Sequence, residues 1–217
     1  MLEYITINIT AETLCFIVAI FTLSKNTDWL WRSSIGYLFI TCVIELIGKY
    51  LKMHHQPNQW PYNALLVFHI FYTLFIFKHI LDRYIKSMPM IISGLALLLT
   101  MYAYELIMHG FFEFNQLTYN TMSVFFVICS LYYFYELLKD SRYTGLEFSA
   151  DFWWAAATLL FYFGSTAVNL FRGQLSVKVT PNHYLTYYIY IVLNILLSLG
   201  WSYSFICRKW LTTISKN

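Results

Sequence analysis

Four ionisable side chains interrupt otherwise apolar stretches of this chain: Glu12, Glu45, His69 and Glu105. Such a group is expensive inside hydrocarbon unless it faces protein or water, so each is a functional candidate by its position alone. Glu45 is the clearest. It lies within the apolar run Trp29 to Lys52, with Lys49 one helical turn later. Ser34, Tyr37, Thr41, Glu45, Gly48 and Lys52 recur at spacings of three and four, which lines small and polar groups along one helix face. Farther on, Thr158, Tyr162, Ser165, Asn169 and Arg172 form a second stripe, and Tyr187, Tyr190, Asn194 and Ser198 a third.

Carboxylates beside tyrosine and tryptophan faces suit a small polar or cationic ligand, since both attract positive charge. Carboxylate and imidazole together are also plausible ligands for a divalent ion, and they can serve as acid and base. No spacing here makes metal binding or catalysis specific, so no metal, cofactor or catalytic residue is assigned. The ligand-binding candidates are Glu12, Glu45, Lys49, His69, Glu105, Asn120, Asn169, Arg172, Tyr190 and Asn194. A plainer account of the same residues runs beside this one. Glu45 and Lys49 stand in the favourable i, i+4 order and could neutralise each other. Stripes of Ser, Thr, Asn and Gly cement helices in lipid, and Trp29, Trp31, Trp60 and Trp153 suit the membrane interface.

The elements that must position these groups follow from composition. Of 217 residues, 59% are hydrophobic and only 12% charged, about half the charge of a soluble domain. That points to an all-α integral membrane protein. Seven stretches approach the ~20 residues that cross ~30 Å of hydrocarbon: about 4–24, 29–52, 61–85, 88–108, 117–138, 151–171 and 181–207. Pro61, Pro89 and Pro181 fall at span starts, where a missing N–H costs nothing, and Pro57 falls in a loop. The linkers are short, so residues 1–217 read as one domain.

Alternating spans put Lys25, Arg32, Lys78, Arg83, Lys86, Lys139, Arg142, Arg208, Lys209 and Lys216 on one side. Lys49, Lys52, Arg172 and Lys178 fall on the other. The bias predicts the N-terminus outside, the C-terminus in the cytoplasm, and a multi-pass protein of the cell membrane. With that orientation, helix rise brings Glu12, Glu45, His69, Glu105, Asn120, Asn169 and Asn194 into the outer half. The inner half holds Glu136 and little else at depth.

Several functions are excluded by residues. A retinal pigment needs a lysine within the last span, and 181–207 has none. A bis-histidine haem needs histidines on two facing spans, and only the third carries them. There is no P-loop, G-x-S-x-G, H-E-x-x-H or dinucleotide motif, and no arginine series of a voltage sensor. A net charge of +3, scattered along the chain, gives no nucleic-acid surface. Cys15, Cys42, Cys129 and Cys207 sit in separate apolar stretches and read as free, packed thiols. The opening Met1-Leu2-Glu3-Tyr4 lacks a basic n-region, so the first span is expected to stay.

Asp28-Trp29-Leu30-Trp31 and Asp151-Phe152-Trp153-Trp154 open the second and sixth spans. At an offset of 124, Ser34 meets Thr158, Thr41 meets Ser165 and Glu45 meets Asn169. A parallel repeat of three, one and three spans follows as an expectation. That plan resembles sugar-efflux and PQ-loop transporters, although no Pro-Gln dipeptide occurs here. Ile44-Glu45-Leu46-Ile47-Gly48-Lys49-Tyr50, Trp60-Pro61-Tyr62-Asn63, Tyr132 to Leu137, and Phe152-Trp153 through Phe161-Tyr162 resemble small bacterial seven-helix membrane proteins. Members of that group are similar to the membrane parts of sensor kinases. The resemblance implies a sensory role and a second acidic residue on the third span, where this chain has His69.

Together these features predict a receptor-like or sensory protein that binds a small ligand from outside and signals through a membrane or cytoplasmic partner. The basic inner loops and Arg208-Lys209 offer contacts to such a partner or to lipid. A small-solute transporter is the alternative, followed by a structural membrane subunit.

Overall fold

The computed structural model describes residues 6–139, 145–180 and 183–214, with side chains as far as Trp210. Among these the protein is all-α apart from one small ribbon. Its helices are α1 (Ile7–Leu23), α2 (Trp29–Met53), α3 (Trp60–Leu81), α4 (Met88–His109), α5 (Gln116–Lys139), α6 (Ala150–Leu170), the single turn α7 (Arg172–Leu175) and α8 (Leu185–Ile214). Strands β1 (Lys178–Thr180) and β2 (His183–Tyr184) pair antiparallel ahead of α8.

Local chemistry sets the boundaries. Thr6, Asp28 and Ser149 accept the backbone N–H of Ile9, Leu30 and Phe152, capping α1, α2 and α6. Pro61 and Pro89 fall in the first turns of α3 and α4, where no donor is lost. Gly110 ends α4 with φ +79°, a conformation a side chain resists. Helix α3 stops at Leu81, short of the expected residue 85. There Asp82 accepts from the Ser87 hydroxyl at 2.6 Å and from its backbone N–H at 3.3 Å, which turns the chain early. Helix α8 begins at Leu185 rather than 181, because the ribbon occupies the preceding residues. Tyr4, Arg142, Pro181 and Lys216, used above as a span start and topology signals, lie outside the described residues.

Five helices (α2, α3, α4, α5 and α8) are long and apolar enough to cross a membrane. This is a multi-pass membrane fold. Helix α1, at 17 residues, is shorter. Helix α6 dilutes its apolar residues with Trp, Tyr, Thr, Ser and Asn along the face it packs against its neighbours. Large apolar side chains point outward all round, including Phe21 at 72% exposure, Ile107 at 82% and Leu138 at 86%. In water such a surface would aggregate; against lipid tails it is at home.

Each long helix packs on its chain neighbours, and α8 returns between α6 and α1, so the bundle closes as a ring. Helix α4 sits at the rim, because α3 also touches α5 directly. Helix α3 is the most buried of the five apolar spans. All four cysteines are free.

Polar rungs tie the ring together. On one side, Tyr72 donates to Ser34 at 2.7 Å and Tyr62 to Glu45 at 3.2 Å, fastening α3 to α2. On the other, Trp201 donates to Thr158 at 3.2 Å and Tyr190 to Asn169 at 3.0 Å, fastening α8 to α6. The acceptors stand eleven residues apart on both α2 and α6.

The end holding the starts of α2 and α6 carries paired charges. Asp28 accepts from Arg208 at 2.7 Å, with the His79 ring 3.3 Å away. Arg83 reaches the buried Asp151, and Lys78 pairs with Asp82 at 2.6 Å.

Candidate functional site

The opposite half of the bundle holds a cavity of about 230 Å³, bordered by six helices and the loop before α5. Glu12 and Cys15 come from α1, Tyr37, Thr41 and Glu45 from α2, Tyr62 and His69 from α3. Tyr119 and Met122 of α5, Phe161 and Tyr162 of α6, and Asn194, Ser198 and Trp201 of α8 complete the ring, with Phe114 at the loop.

Two carboxylates face this space. One oxygen of Glu45 accepts the Tyr62 hydroxyl. That bond requires the tyrosine ring to lie flat across α2, and Gly48 makes room for it: a Cβ there would collide with the ring. Glu12 has a buried Oε2 without any hydrogen-bond partner, and it lies within electrostatic reach of Glu45. Lys49 does not pair with Glu45, and neither carboxylate joins an ion pair among the described residues.

The floor is aromatic and tightly bonded. The two ring nitrogens of His69 hydrogen-bond the hydroxyls of Tyr37 and Tyr162, so one imidazole links α2, α3 and α6. A neutral imidazole donates from one nitrogen and accepts at the other. Whichever tyrosine accepts from it therefore keeps its own O–H for another acceptor, and both tyrosines line the cavity. Tyr37 stacks on Tyr72, with ring centroids 4.0 Å apart and planes 5° apart. Trp201 stacks on Trp154 at 5.7 Å and meets Tyr37 edge-on. Of the floor residues named here, His69, Tyr37, Tyr162, Tyr72 and Trp201 all have polar partners and only the Trp154 indole N–H lacks one, so the floor is held rigid.

A second, shallower cavity of about 350 Å³ adjoins the first. Phe114 and Tyr119 border both. Its other walls include Gln116, Asn169, Arg172, Thr186 and Tyr190. Here the amides are already engaged: Asn169 donates to Asn120 at 2.8 Å, Gln116 donates to the same oxygen at 3.0 Å, and Tyr190 donates to Asn169.

The sequence candidates thus divide. Glu12, Glu45, His69 and Asn194 border the deep cavity, whereas Asn169, Arg172 and Tyr190 border the shallow one, with Asn120 hydrogen-bonded to Asn169. Lys49 borders neither. Glu105 is elsewhere and fully occupied: it accepts the N–H groups of Leu117 and Thr118 and the Thr118 hydroxyl, all within 2.7 Å. It caps α5, whose N-terminus carries positive partial charge. A Glu12, Glu45, Glu105, His69 metal set therefore does not assemble, and no three His, Cys, Asp or Glu side chains among the described residues lie close enough to hold an ion.

Tyr62, Tyr72, Tyr119 and Trp201 escaped the sequence reading. In an aromatic-rich membrane protein, Tyr and Trp look first like interface residues. A signal existed: Tyr62, His69 and Tyr72, at spacings of seven and three, share one face of α3.

Known protein families, curated proteins and solved structures offer no match to this chain. Its chemistry must be read from its own side chains.

Proposed function

We propose that this protein is a receptor-like membrane protein whose deep cavity binds a small organic cation. The reading takes α1 and α6 as spans alongside the five longer helices, with the cavity on the outer side of the cell membrane, following the bias of basic residues. Occupancy would be passed to a membrane or cytoplasmic partner.

The observation that carries it is two carboxylates, Glu12 and Glu45, facing one cavity with no ion-pair partner among the described residues. Burying anionic groups without a counter-charge is costly, and a bound ammonium removes that cost. The rings of Tyr37, Tyr162 and Trp201 add an electron-rich surface. A cavity of this shape, apolar with a few converging polar groups, is the usual form of a small-molecule site.

The test is equilibrium binding of 2-phenylethylamine to the protein in nanodiscs. Wild type should bind saturably, and Glu45→Gln should weaken binding about tenfold, in line with loss of one charged partner. Equal affinity in wild type and variant would refute the assignment.

A transporter is the second reading, favoured by the matching rungs on the α2–α3 and α6–α8 pairs. Their eleven-residue spacing agrees with the 124-residue offset in sequence. It predicts uptake of the same amine into proteoliposomes, which a receptor would not give.

A further inference from the structure

We infer that the ligand is zwitterionic and peptide-sized: its ammonium enters the deep cavity and its carboxylate meets Arg172 in the shallow one. This rests on the cation-binding reading above and extends it to the far end of the ligand.

The two cavities are neighbours, since Phe114 and Tyr119 form a wall common to both. Those two rings lie with centroids 5.8 Å apart. A molecule passing from one space to the other slides along apolar ring surface. The chemistry on either side of that wall has opposite sign. Glu12 and Glu45 stand on the inner side, and Arg172 is the charged residue of the outer cavity. Arg172 makes no ion pair among the described residues, and it is solvent-exposed at the start of α7. The neighbouring amides, by contrast, spend their donors on one another. That leaves the guanidinium as the group with donors to spare, and its planar fork matches a carboxylate two-on-two.

Spacing excludes the smallest zwitterions. Tyr162 borders the inner cavity and Arg172 the outer one; eight residues of α6 rise about 12 Å from Tyr162 to Leu170, and the turn at Phe171 then leads to Arg172. Side chains reaching inward shorten that gap, yet it exceeds the few ångströms between the charges of a free amino acid. An extended peptide advances at most ~3.6 Å per residue, so a tripeptide spans roughly 10 Å and fits. Its first side chain would rest among Leu65, Met122 and Phe161.

Three probes separate this inference from the reading beneath it: Phe-Gly-Gly with a free carboxylate, its C-terminal amide, and 2-phenylethylamine. Each is titrated against wild type, Arg172→Gln and Arg172→Lys in nanodiscs. Wild type should bind the acid at least tenfold more tightly than the amide. Arg172→Gln should erase that preference while leaving the amide and the amine unchanged, and Arg172→Lys should restore part of it. Equal binding of acid and amide by wild type, with the amine still bound, would overturn the zwitterion inference alone. Failure of all three probes to bind would overturn the cation site and the inference with it. Because Arg172 is exposed and takes part in no ion pair among the described residues, its replacement leaves the bundle intact.

Discussion

The two ends of this bundle carry the same kinds of charge and treat them in opposite ways. Where α2 and α6 begin, the partly buried Asp28 has Arg208 and His79 as basic partners, and the buried Asp151 has Arg83. In the other half, Glu12 and Glu45 face a cavity without one. Charges that are satisfied inside the chain hold helices together. Charges left facing a hollow are available to something else. The contrast teaches that an acidic residue within a membrane helix is not informative by itself; its partners are.

Both ends also show how a membrane bundle fixes its geometry without a hydrophobic driving force between helices. Ser34, Thr158 and Ser165 are almost wholly buried and each receives or shares a hydrogen bond from an aromatic on a neighbouring helix. The small residues on α2 and α6 bring the backbones close, and Tyr or Trp spans the gap. Below the cavity this gives a rigid floor, and a rigid floor is what lets two carboxylates stay without a counter-charge and the site not collapse.

The contrast can be broken most forcefully at the paired end. Asp28→Ala removes the cap of α2, about 1 kcal/mol. It also strands the largely buried Arg208, so the total should approach 3 kcal/mol. Thermal unfolding in detergent should show a large fall in Tm. A change of no more than a degree would mean that the paired charges are ornamental.

At the cavity the opposite is expected. Glu12→Gln and Glu45→Gln each remove a carboxylate that has no counter-charge among the described residues. Stability should stay within ~0.5 kcal/mol of wild type or rise, while amine binding falls. A strong loss of stability in either variant would show that these carboxylates are structural, like those at the far end.

The smallest effect concerns the surface. The Lys78 ammonium and the Ser87 hydroxyl beside Asp82 hold its carboxyl below the ordinary aspartate range. A depressed folded-state pKa contributes stability that is present above the unfolded value of ~3.9 and is lost as pH falls through the folded one. Asp82→Asn should therefore cost a small amount of stability at neutral pH and flatten the part of the profile below about pH 4. A variant profile that still tracks wild type in acid would remove Asp82 from the account.

Much of the architecture was legible from sequence because lipid imposes simple rules. Apolar runs of helix length, proline at their starts and the Asp28-Trp29 opening of the second span place α2, α3 and α4 to within a few residues at each end. The ends that slipped were decided by contacts without a periodic signature: Asp82 turning back on Ser87 after α3, and the β1–β2 ribbon before α8. The polar stripes of α2 and α6 do face inward, with Ser34, Tyr37, Thr158, Tyr162 and Ser165 all buried. Spacing could not tell which stripe members meet a cavity and which only cement helices. Glu105 and Glu45 look alike in sequence, each an acid near the end of an apolar helix. One caps α5 with three donors and the other keeps an oxygen toward the hollow. The difference comes from the loop ahead of α5, whose fold brings Leu117 and Thr118 to Glu105.

The central claim is that the deep cavity takes a cation between Glu12, Glu45 and the aromatic floor. A crystal structure with 4-bromophenethylamine tests it most directly, through the anomalous signal of bromine. The account predicts one strong peak inside the cavity, with the ammonium against the two carboxylates and the peak lost in the Glu12→Gln, Glu45→Gln double variant. A peak on the lipid-facing surface, or one unchanged in the double variant, would contradict it.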